Sequence, residues 1–549
     1  MAPQSDPRPL PTDAPPVFRD ALFFGCCVLL LLPSIWSPCS ITGQDEYFLS
    51  FRTVLEMQER SEWLTPYVNG EVRLQKPPLL YWLMRGSFEV FGSNLFAARL
   101  WSVLFGATLA LFSNKLARLY NQKGYLAGLL ALSAAGVMIE ARRAMFDLPV
   151  ASMCTAAIYY AIVWHRRGQL RAAVTMATCV AAAAMCKGPV ALWFFGAPLL
   201  AAVLVRRGAS AGPWWHVVAA VGWFAALALP WPLWAQANHP SFWHVLADQA
   251  AERQFAWPEL SRLPRLGGAL LGLIVPWSLC MLGACWAVLR WRVQLPHGRW
   301  LLVWLIVGLL PFAFMKTFER YLLGLLPPAL ILTASWLEQL PAVARRLQLT
   351  IAVVVVAIPV VVFALFAAWF GFSYVGPAVS VLLVVAAWRS ARRTEPNPAK
   401  TAGLCAVLLS TLLGWVYPSL GINQLPADLP ADLVDRGVQT FGRPQPGMLS
   451  MRVQRSVQQM DGRNEQLGAR LANYHGYLFV LEQDQERVLA AARQRGVTLE
   501  RIGAFRSFYS RKAWLKFYRS GVSRDDWLEA LASRSPERLQ PRFIYYRLP

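Results

Sequence analysis

The sequence predicts an all-α polytopic membrane protein of about thirteen spans, counted at ~20 apolar residues each, that ends in a small soluble α/β domain. Three observations carry that prediction: a mostly apolar composition, repeated apolar runs of spanning length, and basic residues gathered in alternate short loops. Of 549 residues, 56% are hydrophobic and 15% charged, against roughly 25% charged in a soluble domain. One apolar core in water stops growing beyond ~250–300 residues, so the surplus needs lipid as a second solvent. The mean hydropathy is +0.37. The 24 tryptophans suit interfacial belts, where an amphipathic ring rests at headgroup depth.

The elements follow in chain order. Residues 1–20 are Pro-rich and polar and are expected to be a disordered cytoplasmic tail. The apolar run from Ala21 lacks a small-residue cleavage site and reads as a retained first span. Further spans begin near Ala97, Tyr125, Pro149, Ala172, Pro189, Trp214, Gly267, Trp300, Tyr321, Thr350, Gly376 and Thr401. The membrane part is therefore placed at 21–420. Two long outward loops, 42–94 and 236–266, interrupt it.

The net charge of +22 would suggest nucleic acid in a soluble protein. Here the cations fall in short loops: Lys115, Arg118 and Lys123; Arg166, Arg167 and Arg171; Arg206 and Arg207; Arg290, Arg292 and Arg299; Arg345 and Arg346; Arg389, Arg392, Arg393 and Lys400. That is the positive-inside pattern, which assigns these loops to the cytoplasm and excludes a nucleic-acid partner. The other loops mix acids, bases and aromatics and face outward, as does everything after Leu420. Residues 421–549 alternate apolar segments such as YLFVL with the helical DQERVLAAARQRG, which reads as a periplasmic α/β domain. Most of the nine cysteines lie in apolar runs, and none shows metal-ligand spacing.

Charge at membrane depth costs about 2.5–3.5 kcal/mol per residue on insertion scales. Asp45, Glu46, Lys76, Arg142, Arg143, Asp147, Lys187, Arg253, Lys316 and Arg320 all fall on the outward side, several at span ends. Their convergence points to a polar cavity opening outward. Ion pairing between loops is the plainer alternative. A surplus of Lys and Arg over acids suits a phosphorylated substrate. No GxxxxGK[ST] phosphate loop is present, and no nucleotide donor exists outside the cytoplasmic membrane. The donor is therefore expected to be a sugar already loaded on a lipid.

At this point the residues match a family. The stretches are Asp45-Glu46, WLTPYVNGEVRLQKPPLLYWL, FGSNLFAARLWSVLFG, ARRAMFDLPVA, KGPVAL, PWPLW and ERYLLGLLPP. In this order they resemble the bacterial lipid A aminoarabinose transferases and, more distantly, the protein O-mannosyltransferases. These are GT-C membrane glycosyltransferases that use polyprenyl-phosphate sugars. The resemblance implies a GT-C fold with Asp45 and Asp147 as the catalytic acids. It also implies Lys76, Arg253, Lys187 and Arg320 as donor-phosphate ligands, and Glu46, Tyr47, Gln75, Tyr81, Arg143 and Tyr321 as cavity lining. Simpler roles stand beside these: an ion pair with Arg142 or Arg143 for Asp147, a surface position for Arg253, a turn for Lys187, core packing for Tyr321.

The chain departs from the family in two places. Gln75 stands where the family has Glu before the lysine. An amide is a poor ligand for Zn²⁺, which prefers Cys, His and carboxylate, so no metal site is assigned although family members carry a divalent cation nearby. The family arginine after the first acid pair is missing, with Arg52 as a substitute if its loop is helical. The resemblance implies transfer of an amino sugar from undecaprenyl phosphate to a lipid A phosphate at the periplasmic face of the inner membrane, by a monomer in the bilayer. The alternatives are a related transferase acting on protein or another glycan, and a lipid flippase. A flippase would show internal repeats and midplane charges; the chain shows neither.

Overall fold

A computed structural model describes residues 17–40, 46–120, 122, 124–205, 212–252, 262–290, 295, 297–442, 449–453, 455–460, 464–510 and 516–549. Asp45, Lys123, Arg206, Arg207, Arg253 and Arg292 lie outside them. The chain is a multi-pass membrane protein. Among the described residues, seven helices are long and apolar enough to cross a membrane, or eight with one bent pair. The seven are Leu95–Arg118, Asp147–Arg167, Leu170–Lys187, Trp214–Asn238, Glu319–Gln339, Ala342–Trp369 and Pro398–Ser419. Three more apolar helices are shorter: Val190–Leu204, Gly298–Ala313 and Val375–Ala391. Each sequence-predicted span start falls in or beside a helix, but several of those helices are too short or too bent to count as full spans.

The two broken helices explain one another. A first apolar segment stops after Leu132 and restarts at Ala135. A second stops after Ile274, where Pro276 supplies no N–H, and restarts at Ser278 with a 117° bend. Backbone freed inside a membrane must find partners within the protein. Here the breaks meet. Ala135 N–H donates to the Val275 carbonyl at 2.8 Å, and Trp277 Nε1 donates to Ser133 Oγ at 2.9 Å. Gly136 permits the approach, since a Cβ there would lie 3.0 Å from the Leu273 carbonyl oxygen.

Among the described residues, the predicted outward loops contain helices. The stretch after Glu46 opens with a wide π-helical turn, Tyr47–Phe51, and continues as the helix Arg52–Glu59. A two-stranded hairpin follows, β1 (Tyr67–Val68) and β2 (Glu71–Val72). Its turn residues Asn69 and Gly70 both have positive φ, +58° and +80°, the primed-turn geometry that Asn-Gly favours. Glu56 holds this turn, accepting from Asn69 N and Gly70 N at 2.8 and 2.9 Å. In the second loop, Phe242–Ala251 is a helix.

The soluble part carries a five-stranded mixed sheet of β3 (Gly437–Phe441), β4 (Gln458–Met460), β5 (Gly476–Leu481), β6 (Glu500–Arg506) and β7 (Arg542–Leu548), in the order β4-β3-β5-β7-β6. The β3–β4 and β3–β5 pairs are parallel, and β7 is antiparallel to both neighbours. The YLFVL run is the central strand β5. Leu478 and Val480 pack on one face with Leu467 and Val488. Tyr477 and Phe479 pack on the other with Leu433 and Leu449. Burial on both faces explains why β5 reads as a continuous apolar run.

The soluble part is fastened to the membrane part. Phe508 and Phe517 belong to the same apolar cluster as the spans; Phe517 packs against Phe363 and Phe366 and Phe508 against Phe366, in tilted and edge-on pairs with ring centroids about 6 Å apart. Trp369 Nε1 donates to the Leu531 carbonyl at 3.1 Å. Glu59 accepts from Ser456 N and Oγ at 2.7 and 3.0 Å.

Candidate active site

Asp147 is the first residue of its helix and is buried. One carboxylate oxygen, Oδ1, meets Lys187 Nζ. The other, Oδ2, meets Arg320 Nε at 3.2 Å. Lys76 lies within electrostatic reach of the same carboxylate. Lys187 ends the Leu170–Lys187 helix, where Gly188 with φ +76° turns the chain. It is therefore both a turn residue and an ion-pair member. Its ammonium stands 3.7 Å from the centroid of the Tyr321 ring, a cation–π geometry worth about 2 kcal/mol when desolvated. Arg320 and Tyr321 are held by the 3₁₀ turn Glu319–Leu325.

Lys76 follows the hairpin. Gln249, with its amide oxygen turned toward the lysine, accepts from Lys76 Nζ at 3.0 Å and donates to the Gln75 carbonyl at 3.1 Å. The helix of the second outward loop thus reaches the lysine of the first. Trp231 of PWPLW donates to the Leu64 carbonyl at 2.9 Å and ties in the WLTPYV stretch. Segments far apart in sequence, LQKPP, FDLPV, CKGPV and ERYLL, meet around one carboxylate.

The other predicted residues are placed as follows. Glu46 is buried against Arg99 in a bidentate pair, Nε–Oε1 2.7 Å and Nη2–Oε2 2.9 Å. It also accepts from Ala144 N at 2.9 Å. Tyr47 turns to the soluble part, its hydroxyl accepting from Val457 N and donating to Val457 O, both at 3.2 Å. Tyr81 packs edge-on to Phe146 and donates to the Leu49 carbonyl at 3.1 Å. Arg143 pairs with Glu140 at 2.7 Å, and Arg142 donates to the carbonyls of Met138 and Leu30 at 2.9 and 3.0 Å. The Asp147 partners shown here are thus Lys187 and Arg320. Among the described residues, Gln75 Oε1 is buried without a hydrogen-bond partner. The catalytic candidate Asp45 and the phosphate candidate Arg253 lie outside the described residues.

Arg99, Glu56 and Gln249 escaped the sequence reading. Arg99 had a signal: a cation in the first turns of an apolar helix, sixteen residues before Lys115, which with Arg118 closes it. Arg52 is helical, as its suggested role required, but it pairs with Glu56 at 2.8 Å. Arg99 is the arginine that reaches Glu46.

Three cations gather around the Asp147 carboxylate. The acid neutralises one of them, and the excess positive charge in a partly buried site favours an anionic ligand. Among the described residues, no three His, Cys, Asp or Glu side chains group as metal ligands. With Gln75 an amide, the residues present do not fit a zinc-type donor set.

A family model described as dolichyl-phosphate-mannose-protein mannosyltransferase matches residues 75–234. An undecaprenyl phosphate-α-4-amino-4-deoxy-L-arabinose arabinosyl transferase of Serratia proteamaculans is 27% identical over 349 residues, covering 59% of this chain and 60% of that protein. Its counterpart in Yersinia enterocolitica is 28% identical over 333 residues, 58% of each chain. The chain spans about three fifths of the length of these curated relatives. The crystal structure of ArnT from Cupriavidus metallidurans in the apo state has a TM-score of 0.68 at 17% identity, covering 88% of this chain and 95% of that one. The same protein bound to undecaprenyl phosphate has a TM-score of 0.67 at 16% identity, covering 96% and 97%. At that identity the solved structures show the fold.

Proposed function

We propose that this chain, which resembles the aminoarabinose transferases in fold and in sequence, moves a sugar from undecaprenyl phosphate to a lipid A phosphate. The preferred sugar is an amino sugar. The observation that carries the reading is the convergence of Lys76, Lys187 and Arg320 on Asp147, built from the stretches that carry the resemblance.

The chemistry follows from the charges. The bond between the sugar C1 and the donor phosphate oxygen breaks. A new bond forms between C1 and an acceptor phosphate oxygen. Undecaprenyl phosphate leaves with the electron pair, and the cations stabilise the negative charge that grows on it. The acceptor phosphate is already ionised, so no strong base is required. Asp147, engaged by Lys187 and Arg320, fixes those cations and places negative charge beside the oxocarbenium-like sugar centre. Asp45 is assigned a matching role, orienting and stabilising rather than abstracting a proton. Arg253 is assigned to the donor phosphate. Gln75 and Tyr321 line the cavity.

The basic loops support a periplasmic position at the inner membrane for the Asp147 end of the spans and an inside position for the N-terminus. The soluble sheet then lies in the periplasm, and the division into residues 1–20, 21–420 and 421–549 follows. The protein is assigned as a monomer. A protein acceptor is the second reading, favoured by the match of residues 75–234 to the mannosyltransferase model. A hydroxyl acceptor would require a base, and Asp45 would supply it.

Mass spectrometry of lipid A tests the proposal, in cells lacking the gene and complemented with wild type, Asp45→Ala or Asp147→Asn. A phosphate-linked sugar restored by wild type and by neither variant is expected, and its mass names the sugar class. Unchanged lipid A in cells that express the gene would overturn the lipid A acceptor.

A further inference from the structure

A cavity lies among the membrane helices, with its polar end far from Asp147. Its volume is about 1000 Å³, at the top of the ~300–1,000 Å³ range of ligand pockets. The helices Asp147–Arg167, Leu170–Lys187, Val190–Leu204, Trp214–Ala228 and Gly298–Ala313 enclose it. His165 lines it, 18 residues along the helix from Asp147. At 1.5 Å per residue that is about 27 Å, close to the thickness of the hydrocarbon layer. The histidine end of the cavity is thus remote from the candidate active site, while its lining runs along the helices as far as Leu192, five residues past Lys187.

Its walls and its mouth differ. Ala173, Ala177 and Ala220 are buried at its back. Small side chains there leave the space that larger ones would fill. Leu199, Val203 and Val221 on its rim are exposed, Val203 at 71%, so the opening faces the lipid phase rather than water. The polar groups gather at the end where the basic loops lie. Arg166 and His165 come from the last turn of one helix, His297 from the start of another, and His216 from the first turn of a third. The Arg166 guanidinium donates to the Leu119 carbonyl at 3.1 Å and lies 5.6 Å from the Tyr120 ring centroid. These contacts hold its charge at the mouth. The His297 and Trp300 rings flank the same tyrosine at 4.3 and 5.5 Å, an aromatic collar of the kind found at headgroup depth.

We propose that this cavity binds an anionic phospholipid from the leaflet on the basic-loop side. Its acyl chains fill the alanine-backed space between the helices. Its phosphate sits against Arg166, with His165 and His297 beside it. Charge complementarity selects the headgroup, and the lipid-facing opening selects an amphiphile over a water-soluble ligand.

The test is native mass spectrometry of the full chain, purified in detergent and titrated separately with phosphatidylglycerol and phosphatidylcholine. One phosphatidylglycerol is expected to remain bound at collision energies that strip phosphatidylcholine. Arg166→Gln is expected to weaken that retention about tenfold, the effect of losing one charge-assisted contact. Because Arg166 also braces Leu119, Val203→Glu serves as a second variant that keeps the arginine and sets a carboxylate on the rim. It is expected to weaken phosphatidylglycerol binding while leaving phosphatidylcholine unchanged. Equal retention of the two lipids by wild type, or wild-type retention of phosphatidylglycerol in both variants, would overturn the proposal.

Discussion

Arg99 sits in a helix that otherwise reads as a plain membrane span. Both it and Glu46 are fully buried, and the arginine also donates to the carbonyls of Ile35 and Ser37 at 3.1 and 3.2 Å. The pair therefore staples the end of the first apolar segment to the residue beside Asp45. Removing one partner of a buried ion pair leaves the other charge stranded, at about 3–5 kcal/mol. Arg99→Met is expected to cost that much. Glu46→Gln combined with Arg99→Met should recover part of it, read as the thermal midpoint in detergent. A double variant whose loss equals the sum of the two single losses would show that the two charges are not coupled. At this scale the sequence was legible for some of the charges that lacked a topological reason, and Arg99 was missed among them. Asp147, Lys187 and Arg320 were among those read, and they stand together. Partner choice was not legible. Arg142 and Arg143 are nearer to Asp147 in sequence, yet the helix start points the carboxylate away, toward residues 40 and 173 positions later.

Among the elements, the apolar periodicity located helices well and their interruptions badly. Two features of the segments near Ser133 and Pro276 signal a break in retrospect. One is a proline inside an apolar run; the other is a small-residue stretch, Ser133–Gly136, opposite it. Each break is tolerable only because the other supplies its hydrogen bonds, and that dependence between distant segments is invisible to a window of twenty residues. Gly136→Ala is expected to destabilise the chain by roughly 1–3 kcal/mol, the usual cost of overpacking, because the added carbon meets Leu273 side chain and backbone. Gly222→Ala, where no atom stands within 4 Å of the new carbon, is the control and should leave the thermal midpoint unchanged. The helices inside the outward loops went unread for a related reason. Arg52–Glu59 is a short helix that is polar by composition, and its stability comes from burial of Val54, Leu55 and Met57 under neighbouring elements.

At the scale of the molecule, the soluble sheet was expected as a separate domain and its central strand was read from its sequence. Its attachment was not. Phe508 and Phe517 lie in a stretch rich in Lys and Arg that shows no apolar run, and only the fold brings them to Phe363, Phe366 and Phe372. Because these rings belong to one apolar cluster with the spans, the two parts are expected to unfold together. Calorimetry of the full chain in detergent should show one transition, and Phe508→Ser should split it or lower it by several degrees. Two transitions in the wild type would show that the contact carries little energy.

The hydrogen bonds between Tyr47 and Val457 join residues 410 positions apart. Tyr47 is the second residue after Asp45, and the ribosome makes it long before it makes Val457. At about 5–20 residues per second the gap lasts roughly 20–80 s. For that interval the nascent protein is already threaded into the bilayer, but the segment beside its first acid has not met the backbone that holds it. A half-synthesised chain therefore holds its first acid pair beside a tyrosine that is still unanchored, and the contact closes only once Val457 has been made.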